Sequence, residues 1–385
     1  MSKTNNQAAI VGIGQTEFSK DSGRSEQQLA AEAVIAACKD AGINPEEIDG
    51  CITYTIDNSD EVDLLRSVGC KELNYTVRLP QGGAANAATL YHAKNAVESG
   101  VCDVVVIWRA MNERSQYRFG QPTVSISPDA NGSTFIEWCF PFGAQTPATW
   151  EALSCGMYLD QYGVTSEDLG NLAVLMRKHA ATNPNAWFYK QPITLDDHQN
   201  SRWIVKPWLR LLDCCQESDG GVAIIVTRMD KAKDLKQTPA RLLSAQYSFL
   251  FNHEIISDFY EGDVTRLAFS ERVTEKLIAD AGIAPKDTDI AMIYDNFTPQ
   301  VLRQLEGFGY CGLGEAKDYI ADGNMELDGK TPLSPNGGLI GEGYIHGMNN
   351  ITEAVRQIRG TAANQVDNVE TAFIASGVAG AILGK

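Results

Sequence analysis

No apolar run in this chain approaches the roughly 20 residues that a membrane-spanning helix needs. Residues 1–7 are polar, unlike the leader of an exported protein. Positive charge is scarce: 32 Lys and Arg stand against 49 Asp and Glu, a net charge of −17. That balance excludes a nucleic acid or an anionic membrane surface as partner, because either demands a broad basic face. Metal-ligand spacing is missing too. The nine cysteines include no Cys-x-x-Cys pair, and the five histidines (His92, His179, His198, His253, His346) form no spaced cluster. A zinc site in this chain is therefore not expected. Nine thiols without an export signal predict reduced cysteines in a cytoplasm, with the adjacent Cys214 and Cys215 as buried, inert thiols.

What is present is enough for two cores: 385 residues, 44% of them hydrophobic. An anionic substrate would need a local basic patch. Arg109, Arg114 and Arg118 offer one, and Arg202, Lys206 and Arg210 another, although most such residues are solvated surface charges.

One segment occurs twice. Ala41-Gly-Ile-Asn-Pro-Glu-Glu-Ile-Asp49 recurs as Ala281-Gly-Ile-Ala-Pro-Lys-Asp-Thr-Asp289, and each copy runs on to a tyrosine, Tyr54 or Tyr294. The shift is 240 at every matched position (41 to 281, 45 to 285, 49 to 289, 54 to 294). This predicts one βα unit used once in each half. It also delivers Tyr294 to a strand end, where open α/β sheets carry chemistry.

Around the repeat, strands and helices alternate. In the first half, strands are expected at 8–14, 50–54, 103–108 and 220–227, and helices at 25–41 and 84–99. In the second half, strands are expected at 240–249, 290–294 and 370–383, and helices at 264–281, from about 300, and within 343–360. Residues 110–205 break the rhythm with prolines, tryptophans and polar clusters. They read as a partly helical insertion (147–162 and 166–183) lying over the sheet, as substrate-contacting segments commonly do. The chain thus divides into an N-terminal half, 1–235, and a C-terminal half, 236–385.

Four segments, in order, resemble the thiolase superfamily. The stretch 85–107 resembles the helix and strand after the thiolase nucleophile. Ser218-Asp-Gly-Gly-Val-Ala223 resembles the Ala-Asp-Gly-Ala-Ala segment that closes the first half. Ile293-Tyr-Asp-Asn-Phe-Thr298 resembles the His-Asp-Cys-Phe segment of sterol-carrier-type thiolases. Asn336-Gly-Gly-Leu-Ile-Gly-Glu-Gly-Tyr-Ile-His-Gly347 resembles the segment that ends in Gly-His-Pro-x-Gly. The resemblance implies the five-layered αβαβα thiolase fold, two duplicated halves with the insertion in the first, and a homodimer across the N-terminal sheet.

The departures from that pattern carry the chemistry. The nucleophilic cysteine, expected at a helix N-terminus that would favour a thiolate, is replaced by Gly83. The second cysteine falls at Gly377, and the two histidines become Tyr294 and Tyr344. Acyl-cysteine chemistry is then not available. Two phenols can instead move a proton, as retro-aldol cleavage of a β-hydroxyacyl-CoA requires, with the thioester carbonyl as electron sink. Tyr294 is the expected general base and Tyr344 the general acid or enolate donor. Asn296, His346 and Tyr247 are expected to support them, Asn296 by favouring a phenolate and His346 as a donor behind the pair. Gly83, Gly337, Gly338, Gly343 and Gly377 are expected to let the thioester approach the backbone. Tyr54, in the first-half copy, is expected to be structural and Asp295 to satisfy a turn.

Within the superfamily the chain resembles the actinobacterial steroid side-chain-cleaving aldolases. That resemblance implies cleavage of a 17-hydroxy-3-oxo-pregn-4-ene-20-carboxyl-CoA-type thioester to androst-4-ene-3,17-dione and propionyl-CoA. It also implies no cofactor in this chain, and a heterotetramer with a small OB-fold, zinc-ribbon protein or hydratase domain that holds the zinc. Two other readings stay open on the sequence: a degenerate thiolase using another cysteine, and a non-catalytic acyl-CoA or lipid carrier or hydratase scaffold.

Overall fold

Continuous apolar runs become buried strands in the computed structural model, which describes residues 7–54, 57–80, 82–83, 86–116, 118–121, 139–250 and 263–385. Nine strands among them form one hydrogen-bonded array: β1 (Ala8–Gln15), β2 (Gly50–Tyr54), β3 (Tyr75–Leu79), β4 (Val104–Asn112), β5 (Asp219–Arg228), β6 (Ala240–Tyr247), β7 (Ile290–Met292), β8 (Thr371–Ala375) and β9 (Ala379–Gly384). Their spatial order is β3-β2-β4-β5-β1-β6-β9-β8-β7. The first five and the last four meet only where Ala9 and Ile10 of β1 pair with Arg241 and Ala240 of β6.

The side-chain alternation of each strand sorts residues into layers. On β4, Val105 and Ile107 face a central core, whereas Val104, Val106 and Trp108 face an outer one. On β8, Ala372 and Ile374 face the same central core, and Phe373 and Ala375 face a second outer one. Two helices fill the central layer. Helix α3 (Asn86–Ser99) supplies Leu90 and Val97, and α8 (Met348–Arg359) supplies Met348, Ile351 and Val355. Helix α1 (Glu26–Ala41), with α2 (Glu61–Val68), covers one outside face. Helices α6 (Ala268–Ala281) and α7 (Thr298–Gly307) cover the other, with α4 (Pro147–Tyr162) and α5 (Ser166–Thr182) from the expected insertion packed on them. The result is five layers, helix-sheet-helix-sheet-helix.

The duplicated segment folds alike in both places. Helices α1 and α6 end on left-handed glycines, Gly42 (φ 77°) and Gly282 (φ 70°), whose N–H groups close on the carbonyls of Cys38 and Ile278. The repeated prolines open one-turn 3-10 helices, Pro45–Glu47 and Pro285–Asp287. The repeated aspartates then tie down the next parallel strand. Asp49 accepts the N–H groups of Asp103 (3.0 Å) and Val104 (2.8 Å), and Asp289 those of Glu370 (2.9 Å) and Thr371 (2.8 Å). Asp49→Ala and Asp289→Ala should each lower stability by about 1–3 kcal/mol, because each leaves two strand-end donors unpaired. The sites lie in different halves, so urea unfolding of the double variant should give the sum of the two losses. Near-zero change in either single variant would refute the anchoring role.

Two expectations need correction. Residues 370–383 are not one strand but the hairpin β8–β9, because Gly377 takes a left-handed conformation (φ 74°) between them. Strand β3 and helix α2 carried no clear sequence signal; β3 is an edge strand with only Leu79 fully buried, so its pattern is weak. No helix among the described residues is long and apolar enough to cross a membrane.

Candidate active site

Beyond β7 the chain passes through Ile293, Tyr294 and Asp295 into α7, and two amides pin this turn from below. Gln304 Nε2 donates to the Tyr294 carbonyl (2.7 Å) and Asn350 Nδ2 to that of Ile293 (3.1 Å). Tyr344 precedes α8, with its N–H on Ser218 Oγ (3.1 Å). The two phenol oxygens meet at 2.9 Å. Burial pushes both phenols well above their ordinary value; the hydrogen bond between them partly offsets this at Tyr294. Neither is a standing phenolate.

The loop bearing Tyr344 is held by buried acids. Asp295 does more than satisfy a turn: its carboxylate accepts the N–H groups of Leu339 (2.8 Å) and Ile340 (3.1 Å), while burial raises its pKa to about 7. Glu342 accepts the side-chain amides of Asn183 (3.2 Å), Asn336 (2.6 Å) and Asn349 (2.9 Å). The glycines expected to admit substrate here admit protein instead. A Cβ on Gly338 would stand 2.3 Å from Asp295 Oδ2, one on Gly337 2.5 Å from Ala180 Cβ, and one on Gly343 2.6 Å from the Phe18 ring. Gly337, Gly338 and Gly343 are not on the wall of the cavity described next.

Gly83 and Gly377 are on it. They share a cavity of about 810 Å³ with Tyr294, Tyr344, Asn296 and His346, a size in the upper part of the roughly 300–1,000 Å³ range of small-molecule sites. A Cβ on Gly83 would lie 1.7 Å from Tyr294 Oη, so the phenol occupies the space that a side chain at 83 would need. Among the described residues Asn296 makes no hydrogen bond to Tyr294. Its Oδ1 accepts the N–H of Phe297 (3.1 Å), and its carbonyl accepts that of Cys215 (2.7 Å). Tyr247 stands off the wall, in an aromatic group with Tyr91 (6.4 Å) and Phe249 (6.2 Å). Tyr54 is fully buried in the central core, away from the wall.

The insertion supplies much of the cavity's apolar lining, including Trp150 and Ile204, which Phe249 and Phe269 of the second half join. Of the basic candidates, Arg114, Arg118 and Arg202 reach the wall. Arg118 is paired with Glu217 (2.6 Å); among the described residues Arg114 and Arg202 make no ion pair. Arg109 is buried on Glu26 (3.0 Å) and Asp57 (2.9 Å) and does not line the cavity. Arg210 stacks on Trp203 (3.9 Å), and it and Lys206 are off the wall.

Sequence reasoning missed Glu113 and Lys20. Glu113 follows directly on the end of β4, the one signal that could have flagged it. Its Oε2 is buried without a hydrogen-bond partner among the described residues, and burial, then the charge of Glu217, raises its pKa well above the carboxylate range. Lys20 is lowered to about 8, chiefly by burial. Cys214 and Cys215 also reach the wall, partly exposed rather than fully buried, but burial pushes both thiols up, away from a reactive thiolate. Among the described residues no three His, Cys, Asp or Glu side chains gather as a metal site.

Known proteins resemble this chain over its whole length. The family described as thiolase C-terminal domain-like matches residues 252–383. A steroid side-chain-cleaving aldolase of Thermomonospora curvata is 49% identical over 98% of this chain and 97% of its own. A 17-hydroxy-3-oxo-4-pregnene-20-carboxyl-CoA lyase of Mycobacterium tuberculosis is 48% identical over 98% of this chain and 99% of its own. The solved Ltp2-ChsH2(DUF35) aldolase superposes with a TM-score of 0.93 at 48% identity, covering 100% of this chain and 99% of that one. Human mitochondrial 3-ketoacyl-CoA thiolase, 15% identical with a TM-score of 0.70 over 99% of both chains, shares the fold. The chain belongs to the thiolase superfamily, within its group of steroid side-chain-cleaving aldolases.

Proposed function

We propose that this enzyme cleaves the Cα–Cβ bond of a 17-hydroxy-3-oxo-pregn-4-ene-20-carboxyl-CoA-type thioester, releasing androst-4-ene-3,17-dione and propionyl-CoA. The observation that carries this reading is the 2.9 Å contact between the Tyr294 and Tyr344 hydroxyls in a cavity that Gly83 also lines. The reaction needs no net proton: the one lost from the β-hydroxyl reappears on Cα. Tyr294 takes the hydroxyl proton as the Cα–Cβ electron pair moves to Cα and the thioester, forming the enolate. Tyr294 passes its own proton to Tyr344, and Tyr344 protonates Cα. Such a relay never builds a free phenolate, in keeping with two phenols whose pKa values burial has raised. The cysteines on the wall, raised by burial, do not favour the degenerate-thiolase reading.

Two copies of this chain, each made of the halves 1–235 and 236–385, pair as a homodimer across the N-terminal sheet. A DUF35-type partner, an OB-fold with a zinc ribbon, completes a heterotetramer and holds the zinc, and this chain works in the cytoplasm without a resident cofactor. Arg114 and Arg202, on the wall without ion pairs among the described residues, take the CoA phosphates.

The test supplies this thioester to the chain, alone and with a DUF35-type partner. Equal amounts of the 17-ketosteroid and propionyl-CoA are expected. Arg114→Ala and Arg202→Ala should each raise KM about tenfold, the equivalent of about 1.4 kcal/mol, with kcat little changed. The phosphate-free N-acetylcysteamine thioester should be indifferent to both changes. Intact substrate after long incubation with the partner present would refute the function. Equal sensitivity of both thioesters would refute the arginine roles.

A further inference from the structure

The proton relay occupies both phenols and leaves one requirement unmet. As the Cα–Cβ bond breaks, negative charge develops on the thioester oxygen, and a donor aimed there is worth more than one aimed anywhere else in the site. Building on the retro-aldol reading above, we propose that His346 donates its Nε2–H to the thioester oxygen as the enolate forms, and that Arg109 is the positioning residue that fixes the imidazole in that tautomer.

The tautomer follows from hydrogen-bond chemistry. Arg109 Nε donates to His346 Nδ1 at 3.0 Å. A guanidinium N–H has no acceptor capacity, so Nδ1 accepts and the ring proton resides on Nε2. Arg109 cannot easily turn away. Its Nη1 is held by Glu26 (3.0 Å), Asp57 (2.9 Å) and the Ala110 carbonyl (2.5 Å). Asp57 is fixed in turn by the N–H groups of Ala110 (3.0 Å) and Ser59 (2.8 Å).

The ring is clamped as well. Phe119 stacks on it (5.8 Å, 10°), Tyr344 meets it edge-on (5.2 Å, 88°), and Tyr54 lies 6.0 Å away. His346 carries a left-handed backbone (φ 48°), a strained state for a residue with a Cβ, between Ile345 and left-handed Gly347 (φ 76°). So held, the ring sits on the cavity wall beside Tyr344, and its Nε2 has no protein partner among the described residues. Burial, then the charge of Arg109, keeps the imidazole uncharged. An uncharged N–H polarises a carbonyl without handing over its proton, so it does not compete with Tyr344 for protonation of the enolate. The proton stays on Nε2 throughout, and no atom beyond those of the retro-aldol step is exchanged.

Magic-angle-spinning 15N NMR of histidine-labelled protein tests this directly, with His346 assigned by its loss in His346→Gln. At pH 7, Nδ1 should give the pyridine-type and Nε2 the pyrrole-type signal, and the Nε2 signal should move when propionyl-CoA is added. In Arg109→Lys the two tautomers should mix. In kinetics, His346→Phe should lower kcat about 100- to 1,000-fold with KM within about threefold, and His346→Gln, which restores an N–H donor, should recover at least about tenfold of that loss. A protonated Nδ1 in the native protein, or a His346→Phe variant with native kcat, would overturn the inference. Neither result touches the aldolase reading, which stands or falls on product release by the native enzyme.

Discussion

Tyr294→Phe and Tyr344→Phe are each expected to lower kcat about 1,000-fold or more while KM changes little. Each substitution removes one oxygen and leaves the ring in its packing, so substrate binding persists while proton transfer does not. Positioned general acid–base groups contribute about 100- to 10,000-fold, and here one group cannot substitute for the other. In the proposed relay the proton path runs from substrate to Tyr294 to Tyr344 to Cα, and its one link within the protein is the 2.9 Å contact between the two hydroxyls. Breaking the path anywhere stops it. The double variant should therefore be about as slow as either single one, as is usual for groups that act as a unit. Independent acid and base roles would instead multiply the two losses, and that outcome would refute the relay. The fold should survive all three changes. Each single variant loses at most one buried hydrogen bond, about 0.5–1.5 kcal/mol, which circular dichroism and urea midpoints would register as a small shift.

The scaffold was legible where local chemistry decides local structure. The apolar run through β4 and the glycine stops after α1 and α6 act within a few residues of themselves, and so did the helices of the insertion. The duplicated aspartates were visible as a repeat, although what they bind, the start of a strand more than fifty residues on, was not. The hairpin at Gly377 escaped because Ala375-Ser-Gly-Val-Ala379 is uniformly small and largely apolar, so no periodicity marks the break.

At the site, Tyr294 and Tyr344 were found by where they stand in resembling segments. Glycine was the residue most easily misread. A glycine in a sequence says that space is needed but not what takes it. Gly337, Gly338 and Gly343 make room for Ala180, Asp295 and Phe18, and Gly83 makes room for the Tyr294 phenol. Arg109 looked like a substrate anion site from its neighbours in sequence. Its partners Glu26, Asp57 and His346 lie 83, 52 and 237 positions away, a distance at which only the folded chain joins them.

Restoring the thiol should destroy the enzyme rather than convert it. Gly83→Cys and even Gly83→Ala are expected to lower kcat at least 100-fold, because the new Cβ would stand 1.7 Å from Tyr294 Oη and 2.3 Å from its Cζ. One of the two groups must move, and a displacement of about 1 Å in a reacting group costs on the order of 100-fold. Tyr294 has little freedom to yield. Its carbonyl is held by Gln304 (2.7 Å), the next residue anchors Leu339 and Ile340, and Gly347 already packs against its ring. The strain should appear as about 1–3 kcal/mol of lost stability. Adding Tyr294→Ala to Gly83→Ala should return much of that stability without returning activity, a coupling that a double-mutant cycle measures. Thiolase activity should not emerge in Gly83→Cys. Gly377 offers no second thiol, Tyr294 and Tyr344 are phenols raised by burial, and the Nδ1 of His346 is taken by Arg109, so the described wall residues hold no base poised to activate the thiol or carry the acyl group onward. Intact mass after exposure to acetyl-CoA should show no adduct at residue 83. A Gly83→Ala variant with native turnover would mean that the phenol can vacate this space at no cost, and the exclusion between thiol and tyrosine would fall.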